Sequence, residues 1–271
     1  MLTPSIFKAN DIRGVVTGDH PQWDRAGAHA IGAAFVRVLG LQGKQFVLAR
    51  DMRASGAELS AAFTEGALGQ GADVIDVGLA STDQLWYASG HFRVPGIQFT
   101  ASHNPAEYNG VKFCLADAAP IQPAMLTEIA RLAMGPALPA TERPGTRREQ
   151  DVLSEYAAHL HALVPLDGMR RLKVVYDAGN GMAGHTAPAV LQPLNLELIG
   201  LFTDLDGSFP NHPPNPLEPE NLLDAQAAVH EHGADLALVF DGDADRCFII
   251  DERGEPVSPS LITALIAQQE L

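Results

Sequence analysis

Residues 221–250 read NLLDAQAAVHEHGADLALVFDGDADRCFII, and the class of fold is decided there. Asn221–His232 is an Ala-rich amphipathic stretch that predicts a helix, and the apolar runs Leu236–Phe240 and Cys247–Ile250 predict strands on either side of a polar loop. Helix, apolar strand, polar loop and apolar strand is the pattern of a sheet covered on both faces. The same alternation continues toward the N-terminus, with a helix at Val152–Val164 and strands at Val174–Tyr176 and Leu196–Ile199. Further back it predicts helices at Ala26–Leu39, Glu58–Leu68 and Pro123–Met134. The matching strands are Phe46–Ala49, Val74–Val77, Ile97–Thr100 and Val111–Cys114, and Ser55 and Thr82 are expected as helix N-caps. Between Gly135 and Gln150 the pattern lapses around Pro136, Pro139, Pro144 and Gly145, which predicts a linker between two α/β domains. Leu261–Leu271 reads as a helix with nothing after it to pack against.

A chain of 271 residues with 46% hydrophobic content can bury one large or two ordinary cores, which excludes wholesale disorder. Its 18 basic and 33 acidic residues leave a formal net charge of -15. That balance opposes polyanions, so neither nucleic acid nor an anionic membrane is expected as a partner. The cysteines, Cys114 and Cys247, form no CxxC pair and predict neither a disulfide framework nor a zinc knuckle, which fits a reducing cytoplasm. No continuous apolar run is long enough to suggest a signal peptide or a membrane span.

The strongest chemical signal is Asp241-Gly242-Asp243-Ala244-Asp245-Arg246, directly after an apolar strand. Open α/β sheets bind ligands at the carboxyl ends of their strands, where this loop falls. Three carboxylates so close repel one another unless a cation or protons intervene. An oxygen-ligated divalent ion is the economical answer, Mg²⁺ above all where a phosphate adds ligands. An EF-hand would also explain Asp241, Asp243, Asp245 and Glu252, but Arg246 stands where that loop needs glycine. An aspartyl phosphatase loop would need Thr or Val where Asp245 stands.

A second loop, Thr100-Ala101-Ser102-His103-Asn104-Pro105, leaves a serine hydroxyl approachable beside polar neighbours, as a nucleophile or as an ordinary turn. Asn109-Gly110 predicts a hairpin turn returning Val111–Cys114 beside it, with Lys112 either an edge charge or a working base. Arginines gather in Phe7–Gly14 and Ala49–Gly56, where they suit phosphate oxygens; for Arg50, Asp51 and Arg53 structural pairing is the favoured reading. Asp177–Gly181 is a Gly-rich loop able to cradle an anion, with tight packing beside the acidic loop the safer expectation. Phe209–Pro216 should be a stiff irregular loop, and His159, His161, His230 and His232 should lie at the surface.

Taken in order, these segments resemble the α-D-phosphohexomutase superfamily of the bacterial phosphomannomutase/phosphoglucomutase type. The resemblance is carried by DIRG at Asp11–Gly14, RDxRxSG at Arg50–Gly56, TASHNP at Thr100–Pro105, YNGxK at Tyr108–Lys112, DxGNG at Asp177–Gly181, FPNHxPxP at Phe209–Pro216 and DGDxDR at Asp241–Arg246. It implies two successive three-layer α/β/α domains with mixed sheets, a phosphoserine domain over residues 1–140 and a metal-binding domain over 151–253. Residues 254–271 would then begin a third domain, the rest of which, with a fourth, would be missing. Ser102 would carry the phosphoryl group, and Asp241, Asp243 and Asp245 would hold Mg²⁺ together with a Ser102 phosphate oxygen. Lys112 would be the general base, with Arg13, His103 and Arg246 lining the transferring group. The implied reaction interconverts hexose 1- and 6-phosphates, of mannose or glucose, through a hexose 1,6-bisphosphate. A polypeptide without the sugar-reading domain is expected to turn over weakly or not at all, and a non-catalytic phosphosugar-binding module or a hydrolytic phosphatase stand as alternatives. The family pattern has Tyr at the position of Asn10.

Overall fold

A computed structural model describes residues 1–166 and 168–270. It resolves into two compact units, one of Met1–Ala101 with Pro105–Tyr156, the other of Ser102–Asn104 with the chain from Ala157 onward. The first unit runs β1 (Asp11–Val15), α1 (Arg25–Leu39), β2 (Gln45–Arg50), α2 (Gly56–Gly69), β3 (Asp73–Leu79), α3 (Thr82–Phe92), β4 (Gly96–Phe99), β5 (Tyr108–Cys114), α4 (Pro123–Ala133) and β6 (Arg147–Glu149). The chain passes from one unit to the other within α5 (Leu153–Leu163). The second unit continues with β7 (Leu172–Asp177), α6 (Ala183–Leu191), β8 (Leu196–Leu201), α7 (Leu223–His232), β9 (Leu236–Phe240), β10 (Cys247–Ile250) and α8 (Pro259–Glu270). Leu271, the expected end of the last helix, lies outside the described residues.

The first sheet has the order β1-β5-β4-β2-β3-β6, parallel from β4 to β6 and antiparallel where β5 meets β1 and β4. The middle of its central strand β2, Phe46–Ala49, is apolar throughout because both faces are covered. Phe46 and Leu48 of β2 pack with Phe35 of α1, Phe63 of α2 and Ile129 of α4, while Val47 and Ala49 pack with Leu85 and Ala88 of α3. The second sheet, β10-β9-β7-β8, is built the same way on a smaller scale. Val175 and Val239 face Ala225 and Val229 of α7, and Tyr176 faces Ala183 and Ala187 of α6. The expected α/β/α units with mixed sheets are therefore present. Among the described residues no helix is long and apolar enough to cross a membrane.

Each sheet has a point where connections leave one strand's two sides, and that point places the loops that matter. From β2 the chain goes to β3 on one side and to β4 on the other; from β7 it goes to β8 on one side and β9 on the other. A crevice opens beyond the carboxyl ends of strands at such a switch point. Thr100–Glu107 leaves β4 there, Asp177–Gly181 leaves β7, and Asp241–Arg246 joins β9 to β10.

Four local expectations change. Asn109-Gly110 is no turn but lies inside β5, where Gly110 pairs with Arg13 of β1. A Cβ at Gly110 would stand 2.2 Å from the Ile12 carbonyl oxygen, so glycine is there for close strand approach. The real connection from β4 is the longer serine loop. The expected linker Gly135–Gln150 is only partly a linker: Arg147–Glu149 adds as a parallel edge strand to β3, and Gly145 N–H donates to Leu68 O at 2.9 Å. Ser81, one residue ahead of Thr82, caps α3 by accepting from Gln84 N–H at 3.2 Å. Ser55 precedes α2 without a side-chain cap bond, its hydroxyl instead accepting from Asn109 Nδ2 at 2.9 Å.

Candidate active site

Ser102 is buried and sits at φ 51°, a left-handed conformation that costs a non-glycine residue about 1–2 kcal/mol. Packing against the acidic loop holds it there: a Cβ on Gly242 would lie 2.4 Å from the Ser102 carbonyl oxygen. Ser102 Oγ donates to Asp241 Oδ2 at 2.8 Å and accepts from Arg246 Nη2 at 2.9 Å. Arg246 also donates through Nε and Nη2 to Asp241 Oδ2, and its backbone N–H reaches Asp241 Oδ1 at 3.1 Å. The same Nη2 donates to His103 Nδ1 at 2.7 Å, so Nδ1 is the acceptor and the proton of a neutral His103 ring belongs on Nε2.

Asp241, Asp243 and Asp245 each offer an oxygen, all within 4.8 Å of one another; Asp241 and Asp243 are buried. Burial first, then the charges of Asp243 and Asp245, push the Asp241 carboxyl up to about 7, against the opposing pull of Arg246 and Ser102. An acidic site of hard oxygen donors that strains toward protonation when alone is the donor set a small divalent cation satisfies. The three aspartates could therefore hold such an ion, while Arg246 and His103 surround the Ser102 hydroxyl with polar groups.

Behind this loop stands a polar scaffold. Gly242 O accepts from Met182 N–H at 2.9 Å, and a Cβ on Gly181 would lie 2.6 Å from the same oxygen, so the Asp177–Gly181 loop is packed tightly against the acidic loop.

Residues 4–135 match the family model for phosphoglucomutase/phosphomannomutase α/β/α domain I, and residues 154–254 match that for domain II. The chain belongs to the phosphoglucomutase/phosphomannomutase family. It is 38% identical to a phosphomannomutase of Salmonella typhimurium over 99% of its own length and 60% of the relative's. A phosphomannomutase/phosphoglucomutase of Pseudomonas putida is also 38% identical, over 100% of this chain and 57% of that protein. A crystal structure of a family protein from Burkholderia thailandensis superposes with a TM-score of 0.90 at 36% identity, covering 100% of this chain and 60% of that one. The chain thus spans about 60% of the length of the relatives it matches.

Within this family chain the expected site residues fall into two groups. Ser102, His103, Asp241, Asp243, Asp245 and Arg246 come together in the second unit. Arg13 and Lys112 stand in the first, on one face of the β1/β5 pair: Asp11 is the register partner of Lys112, and Arg13 follows Asp11 by two residues and donates to it at 2.8 Å. Arg53 and Asp51 are buried together at 3.3 Å, the structural pairing expected of them. Arg53 Nη1 also donates to Pro105 O at 2.7 Å and Tyr108 O at 3.0 Å, bracing the far side of the serine loop. His159, His230 and His232 are exposed as expected. His161 is half-buried, with Nε2 2.7 Å from Val190 O. One buried histidine escaped sequence reading: His212, 3.1 Å from Asp177 Oδ2. Two acceptors flanking one imidazole cannot be foreseen from a Pro-rich loop.

Proposed function

We propose that this chain carries the phosphoserine and metal-binding part of a phosphohexomutase that interconverts hexose 1- and 6-phosphates, of mannose or glucose. The observation that carries the reading is the 2.8 Å contact of Ser102 Oγ with Asp241 inside a triad of carboxylates. A serine hydroxyl that already touches a cation's ligand set is placed to carry a phosphoryl group. Asp241, Asp243, Asp245 and a Ser102 oxygen would hold Mg²⁺, which when bound neutralises charge on the phosphoryl oxygens. Arg246 and His103 line the same hydroxyl and would steady those oxygens. Lys112 would take the proton of the sugar hydroxyl that attacks, with Arg13 beside it on the β1/β5 face. A hexose 1,6-bisphosphate would be both intermediate and activator, and hexose phosphates the partners, in the cytoplasm.

We further propose residues 1–140 and 151–253 as the phosphoserine and metal-binding domains and 254–271 as the opening of a third. Support for the last comes from the greater length of the relatives and from α8, which leaves Leu261, Leu265 and Ile266 more than half exposed. These 271 residues correspond to about 60% of the relatives' length, and if the remainder of such a relative positions the sugar, turnover by the 271 residues alone should be weak or nil.

Incubation with Mg²⁺ and glucose 1,6-bisphosphate, followed by intact mass and peptide mapping, tests the carrier role. One phosphate on Ser102, lost in Ser102→Ala, is the expected result. Phosphate on an aspartate would instead indicate a hydrolytic phosphatase, and no phosphate from any donor a binding module. Conversion of glucose 1-phosphate at ordinary enzyme rates would overturn the expected weak turnover.

A further inference from the structure

The least expected feature of the second unit is the environment of His212. Its ring is almost wholly buried, and each nitrogen faces an oxygen: Nε2 lies 3.1 Å from Asp177 Oδ2 and Nδ1 2.9 Å from Pro213 O. A neutral imidazole has one N–H and one lone pair, so either tautomer would turn a lone pair toward an acceptor. Both contacts are satisfied only when both nitrogens carry protons. The partner carboxylate is itself buried at the end of β7, and its other oxygen accepts from Gly179 N–H at 2.8 Å. Asp177 faces the ring from β7 and Asp224 adds negative charge from α7; the edge of Phe202 closes another side at 5.3 Å between ring centroids. Burial works against the charged ring, but the bonds to Asp177 and Pro213 and the two aspartates outweigh it and raise its basicity.

This pair ties three loops together. His212 and Pro214 press on Gly179, where a Cβ would meet them at 3.3 and 3.8 Å, and Pro214 also lies against Gly242, between the first two aspartates. Asn211 Nδ2 adds a bond to Asn180 Oδ1 at 2.7 Å. We propose that His212, held as an imidazolium against Asp177, is a positioning residue for the acidic loop: it clamps the 209–216 and 177–182 loops behind Gly242 and so sets the spacing of Asp241 and Asp243 for a divalent cation. The inference rests on the metal-binding reading above. Its effect on the acidic loop is transmitted through Pro214, which lies against Gly242.

The test uses the whole chain and Mn²⁺ alone as probe, with binding followed by titration calorimetry and His212 followed by ¹⁵N NMR. In the unmodified chain both ring nitrogens should show protonated shifts at pH 7.5. His212→Gln should weaken Mn²⁺ binding about tenfold, within the range by which removing supporting partners weakens metal sites. Asp177→Asn should return the ring to a neutral tautomer and weaken binding to the same extent. The double variant should then be no worse than either single one, because one coupled pair is being removed. A neutral His212 in the unmodified chain, or Mn²⁺ affinity within twofold of it in both single variants, overturns the inference while leaving the metal reading intact. Failure of the unmodified chain to bind Mn²⁺ at all overturns both. Should His212→Gln fail to fold, the NMR spectrum of the unmodified chain and the binding by Asp177→Asn still decide.

Discussion

The two units share one architecture but hold it together differently. In the first, Phe35, Phe46, Phe63, Phe99 and Phe113 form a connected aromatic cluster, with centroid separations of 5.2 Å between Phe35 and Phe46 and 5.6 Å between Phe63 and Phe99. In the second, the buried residues are mostly Ala and Val, and β8 has no fully buried residue. Less apolar area is available per strand, and more of the cohesion falls to polar groups: Asp177 with His212, Asp241 with Arg246, Asn180 with Asn211. The unit with the weaker hydrophobic core is the one that carries the acidic triad, and its stability should answer to divalent cations as the first unit's does not.

The largest expected effect sharpens the contrast from the hydrophobic side. Phe63→Ala empties the centre of the aromatic cluster and should cost about 3–5 kcal/mol. Hydrogen exchange should register that loss in β2 and β4, with the amides of β7 and β9 far less affected. Next comes the cation. Mg²⁺ at about 100 times its dissociation constant should stabilise the second unit by about 2.7 kcal/mol, read as a rise in its melting transition that Asp243→Asn abolishes. Equal stabilisation of both units would break the comparison.

A smaller effect follows from His212, because a single group titrates. Its basicity is raised in the fold, so its contribution is complete below the ordinary histidine value near 6.5 and is lost as pH rises through the higher folded value. Denaturation between pH 6 and 9 should show the second unit weakening toward the alkaline end, and His212→Gln should flatten that slope. The smallest change is Ala244→Gly. Ala244 sits at φ 58° between two aspartates, a conformation glycine adopts without strain, and the substitution should raise the second unit's stability by up to about 1 kcal/mol. A melting temperature that falls instead would mean the Ala244 methyl packs well enough to repay its strain.

How much of this was legible depends on whether the signal is local. The central strands announced themselves as short apolar runs because both faces of each sheet are covered, and β2, β4, β7 and β9 lie close to where periodicity puts them. The edge strands of the first sheet did not: β1 carries Asp11 and Arg13, and β6, Arg147–Glu149, is wholly exposed and reads as linker. Asn109-Gly110 was misleading for a related reason. The dipeptide's turn preference is local, whereas its use here is the approach of Ile12 from another strand. The acidic loop and the serine loop were visible as unusual residue types after apolar strands. Their joining was not, since Ser102 and Asp241 are 139 residues apart and meet only in the fold.

The sequence by itself determined the α/β class, the two domains, and the residue types at the strand ends, because hydrophobic periodicity and the mutual repulsion of neighbouring carboxylates are properties of short segments. Tertiary structure alone decided which of those residues touch. It closed Ser102, His103 and Arg246 onto Asp241, set Arg13 and Lys112 on one strand pair, and gave His212 two acceptors. Hydrogen bonds and charge pairs act over a few ångströms, and only the packing of distant segments brings such groups within that reach.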